Sequence, residues 1–138
     1  MTRDEVLALK PGRELDELVI RHIMNIPIVE SVDLFSQEPF PAAWWVEDEG
    51  WYIADERDED GLIYRPFNPS ENISVAWEVV EKMLERGGCE IGCYVGKSGG
   101  KWFEVNVITM NGEVKVTAHT APEAICKAAL LAVMDGDE

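Results

Sequence analysis

The clearest hydrophobic pattern lies near the middle of the chain, between Asn72 and Arg86. Apolar residues recur there with the 3.6-residue period of a helix, and they are Ile73, Ala76, Trp77, Val80 and Leu84. This pattern predicts an amphipathic helix with its apolar side, Trp77 included, in the core. Ser70 is the predicted N-cap, and Gly87-Gly88 is the predicted stop because glycine accepts the positive φ common at helix ends.

Three extended runs follow this helix. They cover Cys89 to Gly96, Lys101 to Thr109 and Glu113 to His119, and short polar connectors containing glycine join them. Short connectors of this composition are typical of tight turns between antiparallel strands. The pattern therefore predicts a three-stranded antiparallel meander.

Alternation along these strands sorts their side chains into two faces. The first is apolar and is expected to face the core: Cys89, Ile91, Cys93, Val95, Phe103, Val105, Val107, Val114, Val116 and Ala118. The second is mixed: Glu90, Tyr94, Trp102, Glu104, Asn106, Lys115, Thr117 and His119. A mixed face is typical both of a solvated or helix-covered sheet and of a ligand platform, and the residues alone leave both interpretations open.

Weaker helical patterns occur at both ends of the chain. Thr2 is a suitable N-cap for a helix from Arg3 to Lys10, and a second helical segment runs from Arg13 to Met24. The predicted inner side of that segment is Leu15, Leu18, Val19, His22 and Ile23. Thr120 is the predicted cap of a last helix, whose narrow apolar stripe is Ile125, Ala128, Ala129 and Ala132.

Residues 25–69 differ from their surroundings. Asn25 to Pro41 has little periodicity and predicts a loop, and three short extended runs follow at Trp44 to Val46, Trp51 to Ala54 and Leu62 to Arg65. These runs predict a second, small antiparallel unit built from hairpins. A chain of 138 residues fits one domain, so we expect residues 1–138 to form a single unit that contains this insert.

The charge of the chain limits its partners. Its net charge is −15, from 27 acids and 12 bases, and residues 47–60 alone contain eight acids and one base. Such a surface repels nucleic acid and anionic lipid, so we expect no direct nucleic-acid or membrane partner unless the acids imitate DNA. No apolar run is long enough to cross a bilayer and the first residues lack a signal-peptide pattern, which predicts a cytoplasmic protein. The three cysteines are predicted to be reduced, buried thiols.

The motifs that suggest chemistry are incomplete. Gly96-Lys97-Ser98 lacks the first glycine of a phosphate-binding loop and no helix follows it, while the acidic run from Glu56 lacks the twelfth-position glutamate of a calcium loop. The two histidines, His22 and His119, have no metal-ligand spacing and no triad partners. The sequence therefore predicts no enzyme activity, no bound metal and no cofactor.

The candidate binding residues combine aromatic rings with the few cations near them. Stacking on a base together with arginine contacts to a pyrophosphate could hold a planar anionic ligand. The predicted set is Trp44, Trp45, Tyr52, Arg57, Tyr64, Arg65, Lys115 and His119. For each arginine a local ion pair with neighbouring acids is the alternative interpretation.

Three segments of the chain resemble the small phage and prophage proteins of Bacillus and its relatives that carry the phage ABA-sandwich domain. The segments are Asn72 to Met83, Thr120 to Leu130 and, at the N-terminus, Thr2 to Glu5 together with Lys10 to Asp16. The resemblance implies an α+β fold, a helix/antiparallel-sheet/helix sandwich with the small hairpin unit inserted, and no assigned activity. Residues 25–67 are longer and more elaborate than expected for this family.

Small phage proteins of this size often counter host defence, which by analogy suggests the main functional hypothesis. It is a non-enzymatic sponge in the host cytoplasm that sequesters a nucleotide-derived immune signal, a cyclic nucleotide or an ADP-ribose derivative. The alternatives are an acidic protein-binding module or DNA mimic acting on a host protein, and a structural or assembly protein of the phage. The aromatic residues of the insert, Phe35, Phe40, Trp44, Trp45 and Trp51, exceed what a small domain can bury and predict a homo-oligomer, a dimer or larger.

Overall fold

A computed structural model describes residues 2–33, 35–110 and 112–136. Its helices are α1 (Arg3–Ala8), α2 (Arg13–Val19) with a π-helical continuation (Ile20–Met24), α3 (Ile73–Leu84) and α4 (Ala121–Gly136). Its strands are β1 (Ala42–Val46), β2 (Gly50–Asp58), β3 (Gly61–Pro66), β4 (Gly87–Val95), β5 (Lys101–Thr109) and β6 (Gly112–Ala118). They form two antiparallel sheets, ordered β1-β2-β3 and β4-β5-β6. The predicted α+β fold, with a meander and a separate hairpin unit, is confirmed; Asn111 in the last predicted connector lies outside the described residues.

Helix α4 is the centre of the molecule. It packs on β5 and β6 and also contacts α1, α2 and α3, and the residues from Ala124 to Val133 are all buried. The predicted apolar stripe was too narrow because a helix surrounded by other elements has no solvent side. Its buried cation, Lys127, is satisfied: the ammonium donates to the carbonyl oxygen of Leu7 at 2.9 Å and to the carboxylate of Glu123 at 2.7 Å.

Helix α3 exists where the pattern predicts it, but it is rotated about its axis. Its buried residues are Ala76, Val79, Val80 and Met83. Ile73, Trp77 and Leu84 are each about half exposed, at 51–54%, so the prediction of a core Trp77 is wrong. Two apolar stripes overlap on this helix with the same period, and the sequence does not distinguish which one the contacts with α4 and β4 bury.

The ends of α3 also differ from the prediction. Asn72 is the N-cap, since its Oδ1 accepts hydrogen bonds from the N–H groups of Ser74 and Val75. Gly87-Gly88 begins β4 instead of stopping the helix. A Cβ on Gly87 would collide with the carbonyl oxygen of Ile108, so the strands approach there too closely for any side chain.

Ser70 holds two segments together instead of capping a helix. Its N–H donates to Oδ1 of Asp16 at 2.8 Å, and its Oγ accepts from the N–H of Gly12 at 2.9 Å. Asp16 is 3% exposed, and loss of contact with water raises the pKa of its carboxyl to about 6. These contacts fasten α2 to the segment that leaves the insert.

Two further predictions about burial are wrong. His22 is exposed, because the π-helical turn turns each successive residue through a smaller angle than an α-helix and moves it off the inner side. The cysteines are free, but only Cys126 is fully buried; Cys89 is half-buried and Cys93 exposed. Burial raises the pKa of the Cys126 thiol well above its ordinary value.

The insert is held together by its own backbone contacts and is joined to the start of α2. The predicted loop from Asn25 to Pro41 runs beside β1, where Ala43 exchanges backbone hydrogen bonds with Pro27 and Val29 at 2.9 Å. Trp51 is 4% exposed, and its indole N–H donates to the carbonyl oxygen of Arg13 at 3.0 Å. Phe35 in the loop is fully exposed.

The apolar face of the meander is covered only in part. Val105, Val107, Val114 and Val116 are buried under α4. On β4, Ile91 is 40% exposed and Val95 65% exposed, and Cys93 is exposed as well, so the prediction of core positions is wrong there. The reason is that α4 packs on β5 and β6. Across the described residues we find no helix long and apolar enough to span a membrane.

Candidate functional site

The mixed face of the meander carries a cavity of about 330 Å³. The strand register explains it: Glu90, Asn106 and Lys115 lie side by side across β4, β5 and β6, with Gly92 and Glu104 paired next to them. The full lining is Glu90, Ile91, Gly92, Tyr94, Glu104, Asn106 and Lys115.

Hydrogen-bond acceptors dominate this cavity. The Oδ1 atom of Asn106 is buried and has no hydrogen-bond partner in the described part of the chain. Lys115 forms an ion pair with Glu104 at 3.1 Å, and this hydrogen bond raises the pKa of the lysine, so Lys115 is charged at neutral pH. An unpaired buried acceptor is costly, which makes Asn106 a position where an N–H donor from outside would be stabilising.

A flat aromatic wall borders the cavity. The rings of Tyr94 and Trp102 stack with centroids 5.6 Å apart and planes 16° from parallel. A Cβ on Gly92 would lie 2.9 Å from the Tyr94 ring, so the missing side chain is what lets this ring lie against the strand. The wall is reachable from solvent, since Tyr94 is 44% and Trp102 37% exposed.

Three of the predicted aromatic residues meet on the insert. Trp44 stacks on Tyr52 with centroids 6.1 Å apart, and Tyr64 contacts both rings at 6.0 and 6.2 Å. Tyr52 also donates its hydroxyl hydrogen to Glu49 at 3.2 Å, which raises the pKa of the phenol. The rings of this aromatic cluster therefore contact one another.

The predicted cations of the insert lie elsewhere. Arg65 forms ion pairs with Asp55 on β2 and with Glu78 on α3. This agrees with the alternative interpretation of the arginine as a partner of neighbouring acids. Arg57 lies over the ring of Phe40 at 3.9 Å and donates to the carbonyl oxygen of Gln37 at 2.8 Å.

The remaining predicted residues are also separated. Trp45 lies on the opposite side of β1 from Trp44, where it meets Trp51 at 5.4 Å and the guanidinium of Arg13 at 4.3 Å. Lys115 lines the cavity, and His119 follows β6 as an exposed residue. One chain therefore groups Trp44, Tyr52 and Tyr64 and does not bring the eight residues together; their role in binding stays a prediction.

The sequence placed Asn106 on the mixed face but gave no reason to select it. The feature of the sequence that points to Asn106 is its position between Val105 and Val107 in the middle strand. A short amide side chain there needs a hydrogen-bond partner. Among the described residues, no group of three histidines, cysteines or carboxylates is placed to hold a metal ion.

Residues 18–130 match the phage ABA sandwich domain. This chain belongs to that family. A phage protein from Bacillus cereus ATCC 14579, known from a 2.0 Å crystal structure, is 26% identical to it, with a TM-score of 0.56. The alignment covers 93% of this chain and 90% of the other, so the similarity includes the insert. None of the curated proteins compared with the chain matches it.

Proposed function

We propose that this phage ABA sandwich protein is a non-enzymatic binding protein of the host cytoplasm that sequesters a nucleotide-derived immune signal. The ligand class is a cyclic nucleotide or an ADP-ribose derivative, and its capture counters antiphage defence. The observation that carries the proposal is Asn106, which lines the cavity beside stacked aromatic rings and whose buried Oδ1 has no hydrogen-bond partner among the described residues.

The lining fits the base of a nucleotide. Asn106 Oδ1 and the carboxylates of Glu90 and Glu104 accept hydrogen bonds, and the amino and ring N–H groups of purines and cytosine donate them. The ring of Tyr94 offers a surface for stacking, which is the common way in which proteins hold an exposed base. Acceptors and an aromatic wall together select a flat ring that carries N–H donors.

The charges set the orientation of such a ligand. The cavity contains two carboxylates and one lysine, and the lysine is paired with Glu104. Phosphates are repelled by this site and by the chain charge of −15, so the base enters and the phosphates remain in solvent. Salt screens this repulsion, and we expect affinity for a phosphorylated ligand to rise with ionic strength.

Calorimetry with a panel of nucleosides, cyclic nucleotides, cyclic dinucleotides and ADP-ribose derivatives tests the proposal. We expect Tyr94→Ala to weaken binding about tenfold, because stacking of one base contributes on the order of 1–3 kcal/mol. Asn106→Val removes the acceptor and should weaken binding while leaving the melting temperature unchanged or higher, since it removes an unpaired buried atom. Thr117→Ala is the matched control, exposed on β6 and outside the cavity lining.

Absence of heat with every compound at micromolar protein would remove the proposal. A ligand whose affinity falls with Trp44→Ala and not with Tyr94→Ala would place the site on the insert and not at the cavity. Binding that weakens with added salt would contradict the base-first orientation.

A second function is favoured by the acidic hairpin of the insert. Glu56, Asp58, Glu59 and Asp60 are all exposed, and the base among them, Arg57, is held against Phe40 and Gln37. We propose that this tip acts as an acidic module or DNA mimic toward a basic host protein. A host-lysate pull-down should lose its partner at high salt and when these four acids are changed to amides; unchanged partners would exclude the hairpin.

A further inference from the structure

Strand β4 is an uncovered edge of its sheet. It pairs with β5 along its whole length, from Gly87 opposite Thr109 to Val95 opposite Lys101, without a bulge. Its other side meets no strand in the described part of the chain. Long, regular edges of this kind are templates for pairing with another chain.

Each of the other sheet edges has at least one feature that weakens such pairing. β1 is covered by the backbone of Pro27 and Val29, and β3 ends at Pro66 and is tied to α3 through Arg65. The exposed side chains of β6 are polar: Glu113, Lys115 and Thr117. β4 contains no proline, lysine or arginine.

β4 exposes apolar side chains on both faces of the sheet. Ile91 and Val95 are 40% and 65% exposed on one face, and Tyr94 is 44% exposed on the other. Helix α3, which contacts β4, adds the half-exposed Trp77. A stable interface commonly takes 20–30 residues from each partner, and the nine residues of β4 supply part of that number.

We propose that β4 pairs with β4 of a second copy of this chain, antiparallel about a two-fold axis at Ile91, to give a continuous six-stranded sheet. Ile91 is the middle residue of the nine-residue strand, so this register pairs all nine positions. It places Cys89 opposite Cys93 of the second copy and Glu90 opposite its Gly92. A register centred one residue earlier would oppose the two Glu90 carboxylates, which is unfavourable.

The charges of β4 permit self-association at this edge. Two copies with a charge of −15 each repel one another, and β4 brings only one acid, Glu90, into contact. Screening by salt should therefore strengthen the dimer, whereas a basic partner would be lost at high salt. The pairing also places two cavities on one continuous sheet face, because Glu90, Gly92 and Tyr94 line the cavity from β4.

Native cysteines provide the first test. Residues opposite each other in an antiparallel pair have Cα atoms about 4.5–5.5 Å apart, within disulfide range, whereas Cys89 and Cys93 of one strand are roughly 13 Å apart. Treatment with copper phenanthroline should produce a covalent dimer whose peptide map contains a Cys89–Cys93 disulfide. Cys93→Ser should abolish it. A map with only Cys93–Cys93 links would indicate random collision and overturn the register.

Light scattering provides the second test. At micromolar protein we expect twice the monomer mass of 15.5 kDa, and Ile91→Lys, which opposes two lysines at the axis, should return the monomer with unchanged circular dichroism. Thr117→Lys adds the same charge on the other edge of the sheet and should remain dimeric. A monomeric wild type without the cross-link, or an Ile91→Lys dimer, would overturn the proposal. Both the molar mass and the cross-linking are measured without ligand. The dimer can therefore be confirmed or excluded even if no nucleotide binds.

Discussion

The two three-stranded sheets share strand order and antiparallel pairing, but they differ in how they satisfy their polar groups. In the β1–β3 sheet, Ala43 pairs with the loop beside it, and the rings of Trp44, Tyr52 and Tyr64 pack on one another. In the described part of the β4–β6 sheet, the apolar edge strand β4 meets no further strand and Oδ1 of Asn106 has no hydrogen-bond partner. Aromatic residues are thus more numerous in the first sheet. In the described residues of the second sheet, the outer edge of β4 and Oδ1 of Asn106 lack hydrogen-bond partners.

This difference indicates what marks a site for a second molecule. A cluster of rings that contact one another stabilises the surface that carries it. A buried acceptor without a partner raises the free energy of the unliganded protein, and a donor from outside lowers it again. The two sheets should therefore differ in stability in ways that can be measured without a ligand.

The largest expected effect on the free energy of unfolding comes from a pair of tryptophan substitutions, one in each sheet. Trp51→Ala removes a side chain that is 4% exposed and leaves the Arg13 carbonyl without its donor, so the free energy of unfolding should fall by about 3–5 kcal/mol. Trp102→Ala, on the open face, should cost about 1 kcal/mol, the loss of its stacking on Tyr94. Urea denaturation measures both free energies of unfolding, and equal losses would show that the two tryptophans contribute equally to stability.

An intermediate effect concerns Asp16, which holds the chain where it leaves the insert. The pKa of its carboxyl is about 6 in the folded protein and 3.8 in the reference state, so the folded state binds the proton more tightly. Stability from this group therefore falls as pH rises from about 4 to about 6, by up to about 3 kcal/mol.

Asp16→Asn keeps an oxygen acceptor for the Ser70 N–H and removes the titration. We expect the variant to be the more stable protein at pH 7, with an advantage about 1 kcal/mol smaller at pH 5. Denaturant unfolding at the two pH values measures the change. Parallel pH dependences for the two proteins would show that burial does not raise the pKa of Asp16.

The smallest effect is expected at Arg65, which ties the insert sheet to α3. Arg65→Met leaves Asp55 and Glu78 without their cation, and because the groups are about one-third exposed the loss should be about 1 kcal/mol. Arg21→Met, which breaks an exposed ion pair with Glu17, is the control and should cost less than about 0.5 kcal/mol. A double-mutant cycle with Glu78→Gln isolates the pair that crosses between the elements.

The order and type of the elements could be predicted because local periodicity determines them. The meander strands were placed to within two residues at each end, and the hairpin unit was recognised from its turns and β-branched or aromatic runs. The buried side of α3 could not be predicted, since Val79 and Met83 form one apolar stripe and Ile73 and Trp77 another. Only the contacts with α4 and β4 decide between the two.

The candidate site was predictable only as a face. Alternation places Glu90, Asn106 and Lys115 on the same side, but their alignment depends on the cross-strand register. The sequence also does not show which hydrogen bonds are left unmade. The aromatic and basic residues of the insert were therefore selected by composition, although the structure shows Arg65 engaged with its neighbours.

Gly87 is exposed to solvent, yet the carbonyl of Ile108 occupies the space that any Cβ would need. Surface positions usually accept many amino acids, so an assessment from solvent exposure alone would class this one as tolerant. In a saturation library selected for folded protein, we expect position 87 to retain glycine as strictly as any core position retains its residue. The same crowding restricts how the chain can diverge at the start of β4, since a substitution there requires the strand beside it to move.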